Sequence, residues 1–165
     1  MPPLLSLGLN IHQTTAAQAE FITATTREIS VSIASTFEID PLLRFGGGGP
    51  NFCFPDPFRG SKRVLFEALM QADEALVHGA YLGPADRGAR FRCVIALAGP
   101  GRATQLFEAT TEGQLTGVYA IRSPTYEHYF VPDGESVSFD RLSPARQRAY
   151  SHRGKAIEML SAYFH

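Results

Sequence analysis

The stretch RGARFRCVIALAGPG, residues 87–101, decides the fold because it predicts a buried strand with a defined end. Its apolar run at residues 90–98 is typical of a strand covered on both faces, and a Gly-Pro-Gly turn follows at residues 99–101. Residues 105–117 alternate well enough to form the partner strand, so the two segments predict a β-hairpin. Cys93 lies inside the apolar run and is interpreted as a small core residue.

Before this hairpin, the chain predicts two helices, a strand and a long loop. Residues 14–26 are rich in alanine and have threonines at both ends, which predicts a helix with capped termini. Residues 29–33 (ISVSI) alternate apolar and polar side chains and predict a strand. Residues 42–60 contain four consecutive glycines and three prolines, which predicts a loop, and residues 62–76 predict an amphipathic helix.

After the hairpin, residues 122–132 are aromatic and irregular. Ser143 and Pro144 form a good N-cap and first-turn pair, which predicts one final helix running to about Tyr163. Strands that alternate with helices indicate an α/β fold with a mixed, twisted sheet flanked by helices. The 165 residues predict a single domain spanning residues 1–165.

Composition restricts the class of partner. The formal net charge is -1 and no basic stripe is present, which argues against a duplex nucleic-acid partner. Apolar residues make up 44% of the chain, but no run approaches membrane-spanning length. The apolar start, residues 1–9, lacks a cationic region and a cleavage site. We therefore expect a cytoplasmic protein whose ligand is a small molecule.

Several segments, taken in order, resemble one known family. They are RGARFRCVIALAGPG at residues 87–101, LFEATTEGQLTG at 106–117, FVPDG at 130–134 with FDRLSP at 139–144, and SHRGKA at 151–156. Together they resemble the second half of the Ham1 (inosine triphosphate pyrophosphatase-like) family, with residues 87–163 as the best-matching part. STFEIDPL at residues 35–42 is similar to the family's SGLEVDAL. The resemblance implies a Ham1-type fold, a homodimer and a purine nucleotide as ligand.

Two departures from the family pattern concern phosphate and metal binding. The chain begins after the position of the family's opening strand and its Ser/Asn/Lys phosphate motif. The acidic pair that holds Mg²⁺ in the family falls here on Ile33 and Ala34, neither of which can bind a cation. Because Mg²⁺ in such sites needs one or two carboxylates, we expect metal binding to be severely weakened.

Glu38 and Asp40 are the acidic residues that remain in this segment. They lie two residues apart on the predicted strand and so point to one face, where they could hold a cation instead. Asp40 matches the family's aspartate near the substrate and is also a candidate catalytic residue. The alternative is a solvent-facing strand end.

The resemblance assigns base recognition to the SHRGK segment. Its substrate-binding candidates are Ser151, His152, Arg153 and Lys155. An arginine offers a fixed fork of donors, which suits the carbonyl and ring nitrogen of a 6-keto purine. The alternative is a solvated helix face.

The segment SPTYEHYF, residues 123–130, takes the place of the family's GFGYDPxF, in which an aromatic residue stacks on the base and an acid helps to read it. Tyr126 and Phe130 fit their aromatic positions, and Glu127 replaces the aspartate. The alternative is an aromatic loop that plugs the core. Glu127 and His128, together with His152, are also candidates for proton transfer, since a nearby carboxylate would raise the pKa of a histidine.

Three functions follow from these residues. The first is the family reaction, hydrolysis of a non-standard purine triphosphate, such as the inosine or xanthosine form, to monophosphate and pyrophosphate. The second is a repurposed enzyme that uses metal-free acid–base chemistry in the same cleft. The third is a binding module that keeps the base pocket without hydrolysis.

Overall fold

The computed structural model describes residues 11–39, 88–115 and 126–165. The helices and strands of this part are α1 (Ile11–Thr26), β1 (Ser30–Ile39), β2 (Gly88–Ala98), β3 (Gln105–Leu115), β4 (Phe130–Pro132), α2 (Pro144–Tyr150) and α3 (His152–Tyr163). Two 3₁₀ turns, Tyr126–Tyr129 and Phe139–Arg141, precede and follow β4. The predicted loop at 42–60 and helix at 62–76 lie outside the described residues.

The described strands form one sheet in the order β1-β2-β3-β4, and each neighbouring pair is antiparallel. The predicted α/β fold, the β2–β3 hairpin and the helix that precedes β1 are confirmed. The predicted strand at 29–33 is longer than expected, since β1 continues to Ile39. This extension brings Ser35, Phe37 and Glu38 into the sheet beside β2.

Helices cover both faces of β2. On one face, Ala19 of α1 packs against Ala96 and Ala98, whose small side chains let the helix approach closely. On the other face, Ala156 of α3 joins a core cluster with Cys93, Ile95, Leu97 and Phe107. Because both faces are covered, residues 93–98 are buried without interruption, which explains the continuous apolar run in the sequence.

The prediction of one final helix is wrong, because the helix is broken at Ser151. Ser143 caps α2 as predicted, by accepting a hydrogen bond from the backbone N–H of Arg146. Ser151 then adopts an extended backbone, with φ -65° and ψ 107°, and its hydroxyl oxygen accepts from the backbone N–H of Gly154 at 3.0 Å. Its own side chain thus starts a second helix, in which His152 and Arg153 occupy the first turn.

An aromatic cluster joins β1, β2 and β4. The ring of Phe91 lies 4.6 Å from that of Phe37 and 4.7 Å from that of Phe130, measured between centroids. Gly113 of β3 leaves the space for this packing, since a Cβ there would lie 2.6 Å from Phe130 Cζ and 2.3 Å from the carbonyl oxygen of Val131. The cluster anchors the end of the sheet nearest to the start of α3.

Among the described residues, no helix has both the length and the apolar character needed to cross a membrane.

Candidate functional site

A cleft of about 360 Å³, including its open mouth, lies where β1, β2, the first 3₁₀ turn and α3 meet. Its lining residues are Ser35, Thr36, Phe37, Phe91, Glu127, His152 and Arg153. The SHRGK segment and the aromatic segment before it, which are separated in sequence, therefore line the same cleft.

Stacked rings form one wall of the cleft. The imidazole of His152 lies 5.1 Å from the ring of Phe91, with an angle of 13° between the ring planes. Phe91 in turn packs on Phe37, its direct partner across β1 and β2. Phe37 and Phe91 are themselves buried, so the partly exposed ring of His152 is the member of this stack that another planar ring can reach.

Burial keeps His152 neutral. Its partly buried position lowers the pKa to about 4, and the positive charges of Arg153 and Lys155 act in the same direction. Its place at the positive end of α3 also disfavours a proton. At neutral pH the imidazole therefore offers one hydrogen-bond donor and one acceptor.

Arg153 is fixed by β1. Its Nε donates a hydrogen bond to Ser35 Oγ at 3.1 Å. Ser35 is directly opposite Cys93 in the sheet, and this thiol is fully buried. The guanidinium group is thus held between the first turn of α3 and the centre of the sheet.

The other two predicted residues of the SHRGK segment have local structural contacts. The Ser151 hydroxyl caps α3 through Gly154. The Lys155 ammonium group lies 3.5 Å from both the carbonyl oxygen of Thr110 and the hydroxyl of Thr111 on β3. Neither residue is part of the cleft lining. The alternative of a wholly solvated helix face does not fit this segment, because Ala156 is fully buried and residues 151–155 are each partly buried.

In the aromatic segment, the side chains of Glu127 and Phe130 lie in different environments. Glu127 lines the cleft beside His152. Phe130 is completely buried and meets Phe37 and Phe91 edge-on, behind the cleft wall. The alternative interpretation, an aromatic residue that plugs the core, therefore accounts for Phe130, whose side chain is not accessible to a ligand. The side chain of Tyr126 lies outside what the structure describes.

The side chain of His128 pairs with a carboxylate that the sequence did not single out. Its Nδ1 lies 2.9 Å from Oδ2 of Asp140, and the hydroxyl of Ser138 donates to the other oxygen, Oδ1, at 2.5 Å. Burial opposes ionisation of Asp140, but hydrogen bonds from Ser138 and His128 outweigh it and hold the pKa of this carboxyl below its usual value. His128 is not among the cleft-lining residues, so Glu127 and His152 are the proton-transfer candidates that the cleft brings together.

Glu38 is enclosed by arginines. Its side chain is 4% exposed, and its carboxylate contacts Nε of Arg92 at 2.8 Å and Nε of Arg90 at 3.1 Å. The alternative of a solvent-facing strand end is thus wrong for Glu38, because the two cations compensate for its burial. Asp40 lies outside the described residues.

In the described part of the chain, the side chains that could supply ligand atoms do not fit a Mg²⁺ site. Residues 11–39, 88–115 and 126–165 contain no group of three or more His, Cys, Asp or Glu side chains placed to hold a metal ion. A cation near Glu38 would have to displace Arg90 and Arg92 from the same carboxylate oxygens. Ile33 and Ala34 lie on β1 and offer no ligand atoms in their side chains.

Ser35, Phe37 and Phe91 were missed as site residues, although a signal for them exists. Residues 35 and 37 are two apart on a strand and so share a face, and Phe91 is the direct partner of Phe37. An antiparallel register between the two apolar strands would have placed all three together. Asp140 carried no local signal, since its partner His128 is twelve residues away and on another turn.

Known proteins similar to this chain share its fold. The Ham1 protein of Staphylococcus aureus superposes with a TM-score of 0.71 at 21% identity, covering 96% of this chain and 78% of that protein. The HAM1 protein of Coxiella burnetii gives a TM-score of 0.68 at 23% identity, covering 94% of this chain and 76% of that protein. At these identities the similarity establishes the fold alone.

Sequence comparison identifies relatives that match part or nearly all of this chain. A dITP/XTP pyrophosphatase of Ruegeria pomeroyi is 34% identical over 102 residues, which cover 60% of this chain and 48% of that protein. The matched part thus spans about half the length of this relative. A protein of the same name from Bacillus licheniformis is 26% identical over 162 residues, or 98% of this chain and 79% of the relative. The family model described as Ham1 family matches residues 59–163, more than half of the sequence, and the chain therefore belongs to the Ham1 family.

Proposed function

We propose that this chain is a nucleotide hydrolase that converts non-standard purine nucleoside triphosphates, such as the inosine or xanthosine forms, to the monophosphate and pyrophosphate. The observation that carries the proposal is the convergence of Glu127, His152 and Arg153 on one cleft with an aromatic wall. The relatives from Ruegeria pomeroyi and Bacillus licheniformis are named dITP/XTP pyrophosphatases, which supports the same substrate class.

The charges that line the cleft suit a 6-keto purine. Such a base has an oxygen acceptor at C6 and an N–H donor at N1, whereas adenine has a donor and an acceptor in these places. Arg153 can donate to the oxygen, and the Glu127 carboxylate can accept from N1. Adenine would place its amino donor opposite Arg153 and its N1 acceptor opposite Glu127, and such mismatched pairs cost affinity.

The phosphate end of the substrate needs cations that the described residues do not supply in the cleft beyond Arg153. Asp40 remains a proposed catalytic or metal-binding carboxylate. For Glu38 a metal-binding role would require that it leave its arginine partners. The described cleft residues therefore support the base-recognition part of the proposal, and the titration below tests the requirement for Mg²⁺.

Calorimetric titration of the full chain with inosine triphosphate, with and without Mg²⁺, tests the proposal together with an assay of pyrophosphate release. Pyrophosphate release that stops with a chelator supports the family reaction. Turnover unaffected by the chelator supports a repurposed, metal-free enzyme, and nucleotide binding without turnover supports a binding module. Absence of both binding and turnover contradicts the proposal.

The variant Arg153→Ala should remove the preference for inosine over adenosine nucleotides, because it deletes the donor to the keto oxygen. Arg148→Ala is the matched control, since Arg148 is exposed on α2 and does not line the cleft. An unchanged base preference in Arg153→Ala would contradict the assignment of the pocket.

The homodimer that the family resemblance implies is also a proposal, which light scattering of the purified chain tests. A monomer at micromolar concentration would contradict it.

A further inference from the structure

The outer edge of β1 lacks the features that keep a sheet edge from pairing with another strand. Among the described strands, β1 lies at the edge of the sheet, and its pairing with β2 runs without a bulge from Ser30 to Ile39. Residues 30–37 (SVSIASTF) contain no charged side chain and no proline. Lysine, proline and bulges are the usual means by which an exposed edge is prevented from adding a strand. This edge is therefore able to accept one.

One face of β1 also presents apolar side chains to the solvent. Val31 and Ile33 are 50% and 51% exposed. They share a face with Ser35, which contacts Arg153 of α3, because alternate residues of a strand point the same way. Ile157 follows Arg153 by one helical turn, so it faces the same strand, and it is exposed as well. The β1 edge thus carries an aliphatic surface on its α3 side.

On the other face, the position of α1 suits the approach of an identical edge. Ser32 donates a hydrogen bond to Gln18 of α1, and Ala19 packs against Ala96 of β2, so the helix lies over the β1–β2 pair. Ile22, one turn after Gln18, is exposed on the β1 side of this helix. Since paired strands lie about 4.8 Å apart, two copies joined through β1 would hold their α1 axes about 10 Å apart, a spacing at which helices pack. Each Ile22 would then be covered by the second helix.

We propose that β1 pairs antiparallel with β1 of a second copy of this chain, about a two-fold axis that passes through Ser32. The inference rests on the homodimer that forms part of the proposed function, and it assigns the contact surface of that dimer. With Ser32 at the axis, each Val31 lies opposite the Ile33 of the other copy, so four aliphatic side chains cluster on the α3 face. Because residues 30–37 are uncharged, the two edges approach without like-charge repulsion.

A charge placed on this edge tests the contact surface. Ile33→Lys is the test variant. Met159→Lys is the matched control, because Met159 is exposed to a similar extent but follows Lys155, which contacts Thr110 of β3, by one turn of α3. Sedimentation equilibrium over a range of chain concentrations measures the dimer dissociation constant of each variant. We expect Ile33→Lys to raise this constant about tenfold or more, since it removes apolar contacts and brings like charges together, and Met159→Lys to leave it unchanged.

The outcomes separate the surface from the dimer itself. A dimeric wild type in which Ile33→Lys has no effect, or only the effect of Met159→Lys, overturns the inference alone. A wild-type chain that is monomeric at every concentration overturns the proposed homodimer and the inference with it, and leaves the edge to a different partner. Neither result depends on nucleotide turnover, so the proposed reaction is tested separately.

Cysteine cross-linking tests the register of the two strands. In a chain that carries Cys53→Ser, the remaining native thiol, Cys93, is fully buried. Ser32→Cys in this background should form a disulfide-linked dimer on mild oxidation, because residues directly opposite in an antiparallel pair have Cα atoms about 4.5–5.5 Å apart, within the range of a disulfide. Ala34→Cys should not, because its two copies would lie four residues, or about 13 Å, apart along the strands. Any other pattern in a dimeric chain overturns the pairing about Ser32.

Discussion

His152 makes the stability of the fold depend on pH in one direction. Its pKa is lowered from 6.5 to about 4 by burial and by the neighbouring positive charges of Arg153 and Lys155. The unfolded chain therefore takes up a proton below pH 6.5 that the folded chain does not take up until about pH 4. The stability contributed by the neutral imidazole is fully present above pH 6.5 and is lost as the pH falls towards 4.

The lowered pKa of His152 corresponds to roughly 3 kcal/mol of unfolding free energy, since a tenfold change in proton affinity is about 1.4 kcal/mol. We expect wild type to lose up to this amount more than His152→Gln does between pH 7 and pH 4. Urea denaturation of both proteins at intervals across this range measures the difference between their unfolding free energies. The titration of the other carboxylates and histidines is common to both proteins and cancels in this difference. Parallel pH profiles for the two proteins would show that His152 is not buried as described.

Glu38 gives a second prediction for a single residue, because removal of its charge leaves two partly buried arginines without their shared partner. Glu38→Gln should lower the unfolding free energy by about 3 kcal/mol, the lower end for a broken buried ion pair, since Arg92 keeps its contact with Glu108. Glu112→Gln is the control. Its carboxylate also faces Arg90 but is 51% exposed, so its loss should cost less than about 1 kcal/mol. Equal losses in chemical denaturation would contradict a buried role for Glu38.

At the scale of elements, the break between α2 and α3 places His152 and Arg153 at the cleft. Two contacts hold it: the Ser151 hydroxyl caps α3, and the Thr111 hydroxyl donates to the backbone carbonyl of Tyr150 at 2.5 Å. The last carbonyl of α2 is therefore satisfied by β3, and α3 begins in a new direction.

Removal of the Ser151 cap should affect both stability and the cleft. Ser151→Ala should lower the unfolding free energy by about 1 kcal/mol, the usual cost of a lost N-cap, and should also weaken inosine nucleotide binding. Ser143→Ala, which removes the cap of α2, should have a comparable or smaller effect on stability and none on binding. Thermal denaturation and calorimetry on both variants provide the comparison. Weaker binding in both variants would show that the break itself is not what positions the site.

The elements that the sequence predicted are those with local signals. The β2–β3 hairpin follows from an apolar run, a Gly-Pro-Gly turn and a partner strand, all within residues 87–117. The helix break was missed because Ser151 is as compatible with a continuous helix as with a cap, and the decision depends on Thr111 from β3. The cleft was predicted through the resemblance, but its wall was not, because the contact of Phe37 with Phe91 depends on strand register.

At the scale of the molecule, the sheet separates two kinds of chemistry. The α3 face carries the cleft, with His152 and Arg153. The α1 face carries a chain of charges in which His12 contacts Glu108 at 2.5 Å, Glu108 contacts Arg92, and Arg92 contacts Glu38. This network ties the first turn of α1 to the strands. It touches the cleft lining at Thr36, whose hydroxyl donates to Glu38 at 3.2 Å, but its charged side chains lie on the face of the sheet opposite to His152 and Arg153.

This separation predicts a pattern of hydrogen exchange when inosine triphosphate binds. At a ligand concentration one hundred times the dissociation constant, the folded state gains about 2.7 kcal/mol, which slows exchange through global unfolding about a hundredfold. Amides at the centre of β2, around Ile95, are fully enclosed and should show this full slowing. Amides of β1 near Ser35 and of the first turns of α3 should slow as well, because the ligand covers them directly. We expect α1 to exchange by a local opening that leaves the cleft intact, so its amides should exchange at unchanged rates. Equal slowing in α1 and β2 would mean that the two faces unfold only together, and the proposed independence of the cleft from the α1 network would then be wrong.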